Sequence, residues 1–259
     1  MNLGIEGRTA IICGSSQGLG LACAEALSAE GVDVILNGRD AAKLDKAAAG
    51  LRTHARGKVT AVAADIATNE GRERLIAAAP RCDILINNNG GPKPGNFADV
   101  DHDTWMKVIE ANMIAPMMLT RSVLPGMKER RFGRIINITS AMVTTPRPHM
   151  APSAGARAGL TGAMKALALE VARFNITINN MLPERFDTDR QHQMAKAAMA
   201  RDSISYEEAR ARQIKSIAAQ RLGDPKEFGA TCAFLCSAFA GFMSGQNIHL
   251  DGGSYPALI

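Results

Sequence analysis

The chain has 259 residues, 46% of them hydrophobic, a net charge of +5 and five cysteines. That apolar content supports one large core, and the modest positive charge lacks the basic stripe with interleaved aromatics that nucleic-acid binding requires. No apolar stretch is long enough to cross a bilayer, and the chain opens on a strand pattern rather than a signal peptide, so a cytoplasmic protein without membrane contact is expected.

The first strand reads as Thr9–Cys13, followed at once by Gly14-Ser15-Ser16-Gln17-Gly18-Leu19-Gly20 and a helix over 18–30. Glycines there allow a tight turn and close approach of a pyrophosphate, and the helix start offers free N–H groups. Strand, glycine cluster and helix in that order point to a dinucleotide, although the spacing is G-x-x-x-G-x-G. A second strand, Val32–Leu36, ends in Asn37-Gly38-Arg39. An acid there would hold a ribose hydroxyl, whereas a guanidinium suits a 2′-phosphate, so NADP(H) is favoured over NAD(H). Asp40 reads as the cap of a helix over 40–53.

Strand Val59–Ala64 leads to Asp65-Ile66, then Thr68 caps a helix over 68–79. Strand Ile84–Asn87 runs into Asn88-Asn89-Gly90, and Asp101 caps a long helical pattern over 101–130 that contains Asn112. Strand Arg134–Thr139 ends at Ser140, and the loop beyond it carries His149. The helix over 152–174 places Ser153 and Arg157 one turn apart, so both face the same way. Strand Thr177–Met181 precedes Pro183-Glu184 and Thr188. The polar helical stretch 188–221 breaks the alternation and reads as a lid. Asp224 caps the helix 225–240, and Asn247–Leu250 is the last strand.

Apolar strands without polar alternation suit a sheet covered on both faces. The expected fold is α/β: a doubly wound Rossmann fold with a seven-stranded parallel sheet and helices on both faces, in one domain over 1–259. Cys13, Cys23, Cys82, Cys232 and Cys236 read as reduced core thiols, and their spacing suggests no metal site.

These motifs, with Asn179 and the late Gly245-Gln246…Asp251-Gly252-Gly253, resemble the short-chain dehydrogenase/reductase family, most closely its β-ketoacyl carrier-protein reductase-like branch. The resemblance runs over about residues 5–255. It implies a site at the carboxyl ends of the strands, with Asp65 and Ile66 at the adenine, Asn88 and Gly90 at the adenosine-side ribose, and Pro183 and Thr188 at the nicotinamide end. It also implies a catalytic set of Asn, Ser, Tyr and Lys. Asn112 and Ser140 match, but Ser153 stands at the tyrosine position and Arg157 at the lysine position. Asn89 and Glu184 replace the usual alanine and glycine.

In the family mechanism a phenol, its pKa lowered by the lysine, exchanges the proton at the substrate oxygen while hydride moves. A serine is too weak an acid for that role, and an arginine keeps the charge without reloading a proton. Arg157 retains the capacity to hold a nicotinamide ribose. His149 is an alternative donor, and Tyr206 and Tyr255 are the only tyrosines. Arg147, Arg185, Arg190 and His192 are candidates to recruit an anionic substrate, and Met142, Met150 and Met194 to form an apolar wall. Two functions therefore stand side by side: an NADP(H)-dependent oxidoreductase on a ketone, including 3-oxoacyl types, or a secondary alcohol, and a catalytically inactive dinucleotide-binding protein. Isomerisation or elimination helped by Arg157 is a third. Small residues between Ala154 and Ala163, on one of the two helices that form the family's dimer face, imply a homodimer or homotetramer.

Overall fold

The apolar runs become seven parallel strands: β1 Thr9–Ile12, β2 Asp33–Gly38, β3 Val59–Ala63, β4 Ile84–Asn87, β5 Gly133–Ile138, β6 Ile176–Pro183 and β7 Asn247–Leu250. Their order across the sheet is β3-β2-β1-β4-β5-β6-β7 in this computed structural model, which describes residues 2–258. The order reverses between β1 and β4, so a crevice opens there at the carboxyl ends of the strands.

Side chains alternate between two cores. One buries Ile12, Val34, Leu36, Ile84, Ile136 and Met181 against helices α1 (Gly18–Ala29), α2 (Ala41–Arg52) and α9 (Pro225–Cys236). The other buries Ile11, Ile35, Leu85, Ile135 and Ile178 against α3 (Asn69–Ala77), α5 (Ala115–Arg130) and α6 (Ala151–Val171). All five cysteines are buried and unpaired, and burial pushes the Cys13 and Cys82 thiols up to about 12. They are core residues.

Local chemistry sets the helix starts. Asp40, Thr68, Asp101 and Asp224 each accept a backbone N–H from the first turn, and Asp224 completes a capping box with Glu227. The stretch expected as one helix over 101–130 is α4 (His102–Ile109), a π-helical turn at Glu110–Ile114, and then α5. The wider turn leaves carbonyls without their usual partners. Asn112 Nδ2 takes that of Val108 (3.3 Å), and Asn89 Nδ2 takes that of Ala111 (3.0 Å). The stretch expected as a lid holds α7 (Asp189–Asp202) and α8 (Tyr206–Lys215), the latter capped by Ser205.

One feature of the sheet has no counterpart in the apolar pattern. Asn87, Asn137, Asn180 and Asn247 are register partners on β4, β5, β6 and β7. The Nδ2 of each of the first three donates to the next Oδ1 at 2.8–2.9 Å, forming a row of amides across four strands.

Candidate active site

The turn after β1 is built for a phosphate. Gly14 (φ +57°) and Gly18 (φ +59°) adopt the left-handed conformation that a side chain resists. A Cβ on Gly20 would lie 2.3 Å from the Gly14 carbonyl oxygen, so the helix closes on the turn only with glycine there. Gln17, the residue before α1, gives no side-chain cap, which leaves the first N–H groups of that helix open to an anion. Asn88 braces the turn by donating to the Gly14 carbonyl at 3.0 Å.

Ser15 departs from the expected role of cofactor contact. It is fully buried, its hydroxyl donates to Ile12 O (2.7 Å), and its N–H donates to Asn37 O (2.8 Å). It fastens the end of β1 to β2 and has no donor left for a phosphate. Gly20 likewise serves packing and, with Ser15, is absent from the cavity wall.

A cavity of about 1260 Å³ runs from Gly14, Ser16, Gln17, Gly18 and Leu19 past Arg39, Asp65, Ile66 and Gly90 to Ser140, Ser153 and Arg157. That exceeds the roughly 300–1,000 Å³ of a small-ligand pocket. Arg39 is exposed at one end. Asp40 beside it is spent as a helix cap on Lys43 N (3.1 Å). Asp65 accepts from Ala67 N through Oδ1 (3.0 Å), which fixes the carboxylate at the wall.

At the other end, Ser140 Oγ accepts from Met142 N (3.2 Å), which leaves its proton to give. Ser153 is 2% exposed and lines the cavity, and its hydroxyl has no hydrogen-bond partner among the described residues. Arg157, 8% exposed, binds three carbonyls: Nη1 those of Ile138 (2.8 Å) and Thr139 (3.1 Å), and Nη2 that of Asn89 (3.2 Å). Burial, then the charge of Arg190, pushes its pKa down to about 10, so it stays a cation at neutral pH. Three of its five N–H groups are used, and the rest remain for a ligand. Arg157 and Asn89 thus touch each other.

Asn112, expected as catalytic, is buried off the cavity wall, and its Oδ1 has no partner. Its place is inside the π-helical turn. His149 is exposed on the wall with φ +64°, held by Gly95 N donating to its carbonyl at 2.9 Å. Pro183 and Thr188 also line the cavity, Thr188 next to Gly18.

The four expected anion-recruiting groups separate. Glu184, with only 7% of its side chain exposed, accepts Arg147 Nη2 (2.6 Å) and Arg185 Nε (3.2 Å) on one oxygen. His192 pairs with Tyr206 Oη (2.6 Å) and Asp187 (3.4 Å), off the wall. Arg190 alone is without a carboxylate. Neither tyrosine lines the cavity; Tyr255 stacks on His249 with ring centroids 4.1 Å apart. Met142, Met150 and Met194 all lie on the wall. Among the described residues no cluster of three or more His, Cys, Asp or Glu could hold a metal ion, and no helix is long and apolar enough to cross a membrane.

Residues 8–198 match the family model described as short chain dehydrogenase. The chain is 32% identical over 258 residues to an uncharacterized oxidoreductase, YvaG, of Bacillus subtilis, covering 98% of each. It is 31% identical over 257 residues to the 3-oxoacyl-(acyl-carrier-protein) reductase FabG of Vibrio cholerae, covering 98% of this chain and 99% of that protein. Among solved structures, L-sorbose reductase from Gluconobacter frateurii in complex with NADPH and L-sorbose superposes with a TM-score of 0.95 at 30% identity, over the full length of both chains.

Proposed function

The chain belongs to the short-chain dehydrogenase family, and from that premise we propose an NADP(H)-dependent oxidoreductase that interconverts a ketone, including 3-oxoacyl types, and a secondary alcohol, with Ser153 and Arg157 in the positions of the family's tyrosine and lysine. One observation carries the reading: the glycine turn with its open N–H groups and the hydroxyls of Ser140 and Ser153 share a single cavity. The dinucleotide supplies or accepts the hydride. The turn Gly14–Gly20 receives its diphosphate, Arg39 the 2′-phosphate, and Asp65 and Ile66 the adenine, while Asn88, Gly90, Pro183 and Thr188 border the rest of the groove. The relatives' names support the cofactor, since the sorbose reductase was solved with NADPH.

Near the substrate oxygen, Ser140 donates a hydrogen bond and Ser153 offers a second, unclaimed hydroxyl. Arg157 keeps a fixed cation on the same wall. No phenol lines the cavity, so proton exchange falls to these hydroxyls, His149 or water. Loss of a positioned acid costs about 10²–10⁴ in rate, and slow turnover is expected. A homodimer or homotetramer through the exposed row Gly155, Ala158, Gly162 and Leu169 of α6 is part of the same reading. Gly159 is excluded from that row's contact, because a Cβ there would meet Met113 Sδ of the same chain at 2.8 Å.

NADPH fluorescence titration followed by absorbance loss at 340 nm with a panel of ketones tests the proposal. Expected are saturable NADPH binding, weakened about tenfold by Arg39→Ala as one charge-assisted contact is lost, and slow consumption with at least one ketone. Tight binding with no turnover on any substrate would instead support the inactive dinucleotide-binding protein, a reading favoured by the three carbonyl bonds that immobilise Arg157.

A further inference from the structure

We propose that Arg157 and Arg190 form a receptor for an oxyanion carried by the substrate, making the substrate a ketone or alcohol that bears a carboxylate or phosphate. Its observations are those of charge placement, and it rests on the oxidoreductase reading only for what happens at the other end of that molecule.

Apart from Arg39, at the proposed 2′-phosphate site, and Arg201 and Arg212, both paired with Asp202, four guanidinium groups line the cavity: Arg147, Arg157, Arg185 and Arg190. The chain itself supplies an anion for two of them, since Arg147 and Arg185 share one oxygen of Glu184. It supplies none for the other two. Arg157 reaches only backbone carbonyls, and Arg190 only those of Gly91 (3.5 Å) and Pro92 (3.4 Å). Among the described residues neither has a carboxylate within 4.0 Å, although Asp189 stands beside Arg190 on the wall.

The two unneutralised groups converge. A Cβ built on Gly91 would lie 3.6 Å from Arg190 Nη2 and 3.8 Å from Arg157 Nη2. Like charges this close repel, and the repulsion is strongest where one partner is buried, as Arg157 is. Carbonyl dipoles satisfy hydrogen bonds without cancelling net charge. An oxyanion between the forks would cancel it, and guanidinium geometry suits carboxylate and phosphate oxygens equally. Arg157 Nη1 donates to the carbonyl of Thr139, the residue before Ser140, and Ser153 stands one turn earlier on the same helix and on the same cavity wall. An anion held there therefore leaves the next carbons of a small substrate beside the hydroxyls of Ser153 and Ser140.

Gly91 gives the test. Its backbone is not left-handed and a Cβ meets only ordinary contacts, so Gly91→Asp would place a carboxylate of the chain's own between the two forks, and Gly91→Asn is the neutral match in shape. The probes are butanoate against butanamide, and inorganic phosphate, titrated into wild type, Gly91→Asp, Gly91→Asn and Arg190→Gln, with and without NADP+, following the thermal midpoint. Expected is stabilisation of wild type by butanoate or phosphate but not by the amide. Affinity should fall about 10- to 100-fold in Arg190→Gln and Gly91→Asp, the scale of a lost charge-assisted contact, while Gly91→Asn binds better than Gly91→Asp. The choice between butanoate and phosphate identifies which oxyanion is read.

The proposal is overturned if neither anion stabilises wild type, or if Gly91→Asp and Arg190→Gln bind as wild type does. It is equally overturned if the loss appears in NADP+ affinity rather than in probe affinity, which would give the pair to the cofactor's own phosphates. Failure of wild type to bind NADP+ with probe binding intact would remove the oxidoreductase reading and leave the anion receptor standing.

Discussion

Replacing Arg157 with methionine is expected to lower the unfolding free energy by about 2–4 kcal/mol, because up to three buried carbonyls lose a charged donor at once. The guanidinium ties Ile138 and Thr139 at the end of β5 to Asn89 beyond β4, the two strand ends between which the reaction end of the cavity lies. Methionine preserves bulk and removes every donor. Relief of the desolvation that depresses the arginine's pKa limits the loss. Arg157→Lys should recover only part, since one ammonium group cannot span three carbonyls held by a planar fork. Urea denaturation of the three proteins measures this, and an unchanged midpoint for Arg157→Met would show that the carbonyls find other donors and that the strut is dispensable.

Turnover should fall about 10²–10³-fold in Ser140→Ala, the range for deleting one hydrogen-bond donor aimed at a developing oxyanion. Ser140 is set at the start of a short 3₁₀ turn, Ala141–Val143, and its oxygen accepts from Met142 N. That bond orients the oxygen and leaves the proton to point elsewhere. Alanine removes both, at a stability cost of about 1 kcal/mol for the lost cap. NADPH affinity is expected to stay as it was, because the Ser140 hydroxyl accepts from Met142 N and bonds none of the residues of the glycine turn. Single-turnover kinetics separates the two quantities, and equal or greater activity in the variant would remove Ser140 from the reaction. Ser153→Tyr, by contrast, should give at most a partial gain, since Arg157 is tied down by carbonyls and does not have the freedom of a lysine.

The sheet was legible because its inner strands are covered on both sides and so carry largely apolar runs, and the strand ends fall within about two residues of the reading. Caps were legible because Asp40, Thr68, Asp101 and Asp224 act on N–H groups two or three residues away. The π-helical turn at Glu110–Ile114 was hidden, since one extra residue per turn hardly alters an apolar stripe, and Asn112, which the family resemblance put in the catalytic set, lies inside it. Long-range pairing escaped the sequence altogether. Ser15 looked like a phosphate contact until Asn37, 22 positions away, claimed it. Glu184 was visible only as an odd residue after Pro183, and its grip on Arg147, from a different loop, offset part of the positive charge expected at that corner. A lone acid beside Arg185 and close in sequence to Arg190 was the available signal.

The asparagine row from β4 to β7 restricts how this protein can change shape. Sliding any of those strands by one position would set an amide against isoleucine or methionine and turn the neighbouring apolar side chains to the wrong face. The four amides also share a common direction of donation, so no single one can turn over without stranding its neighbours. The floor beneath Ser140 and Pro183 is therefore a fixed reference surface, and adaptation to differently sized guests is left to the segments that stand above it.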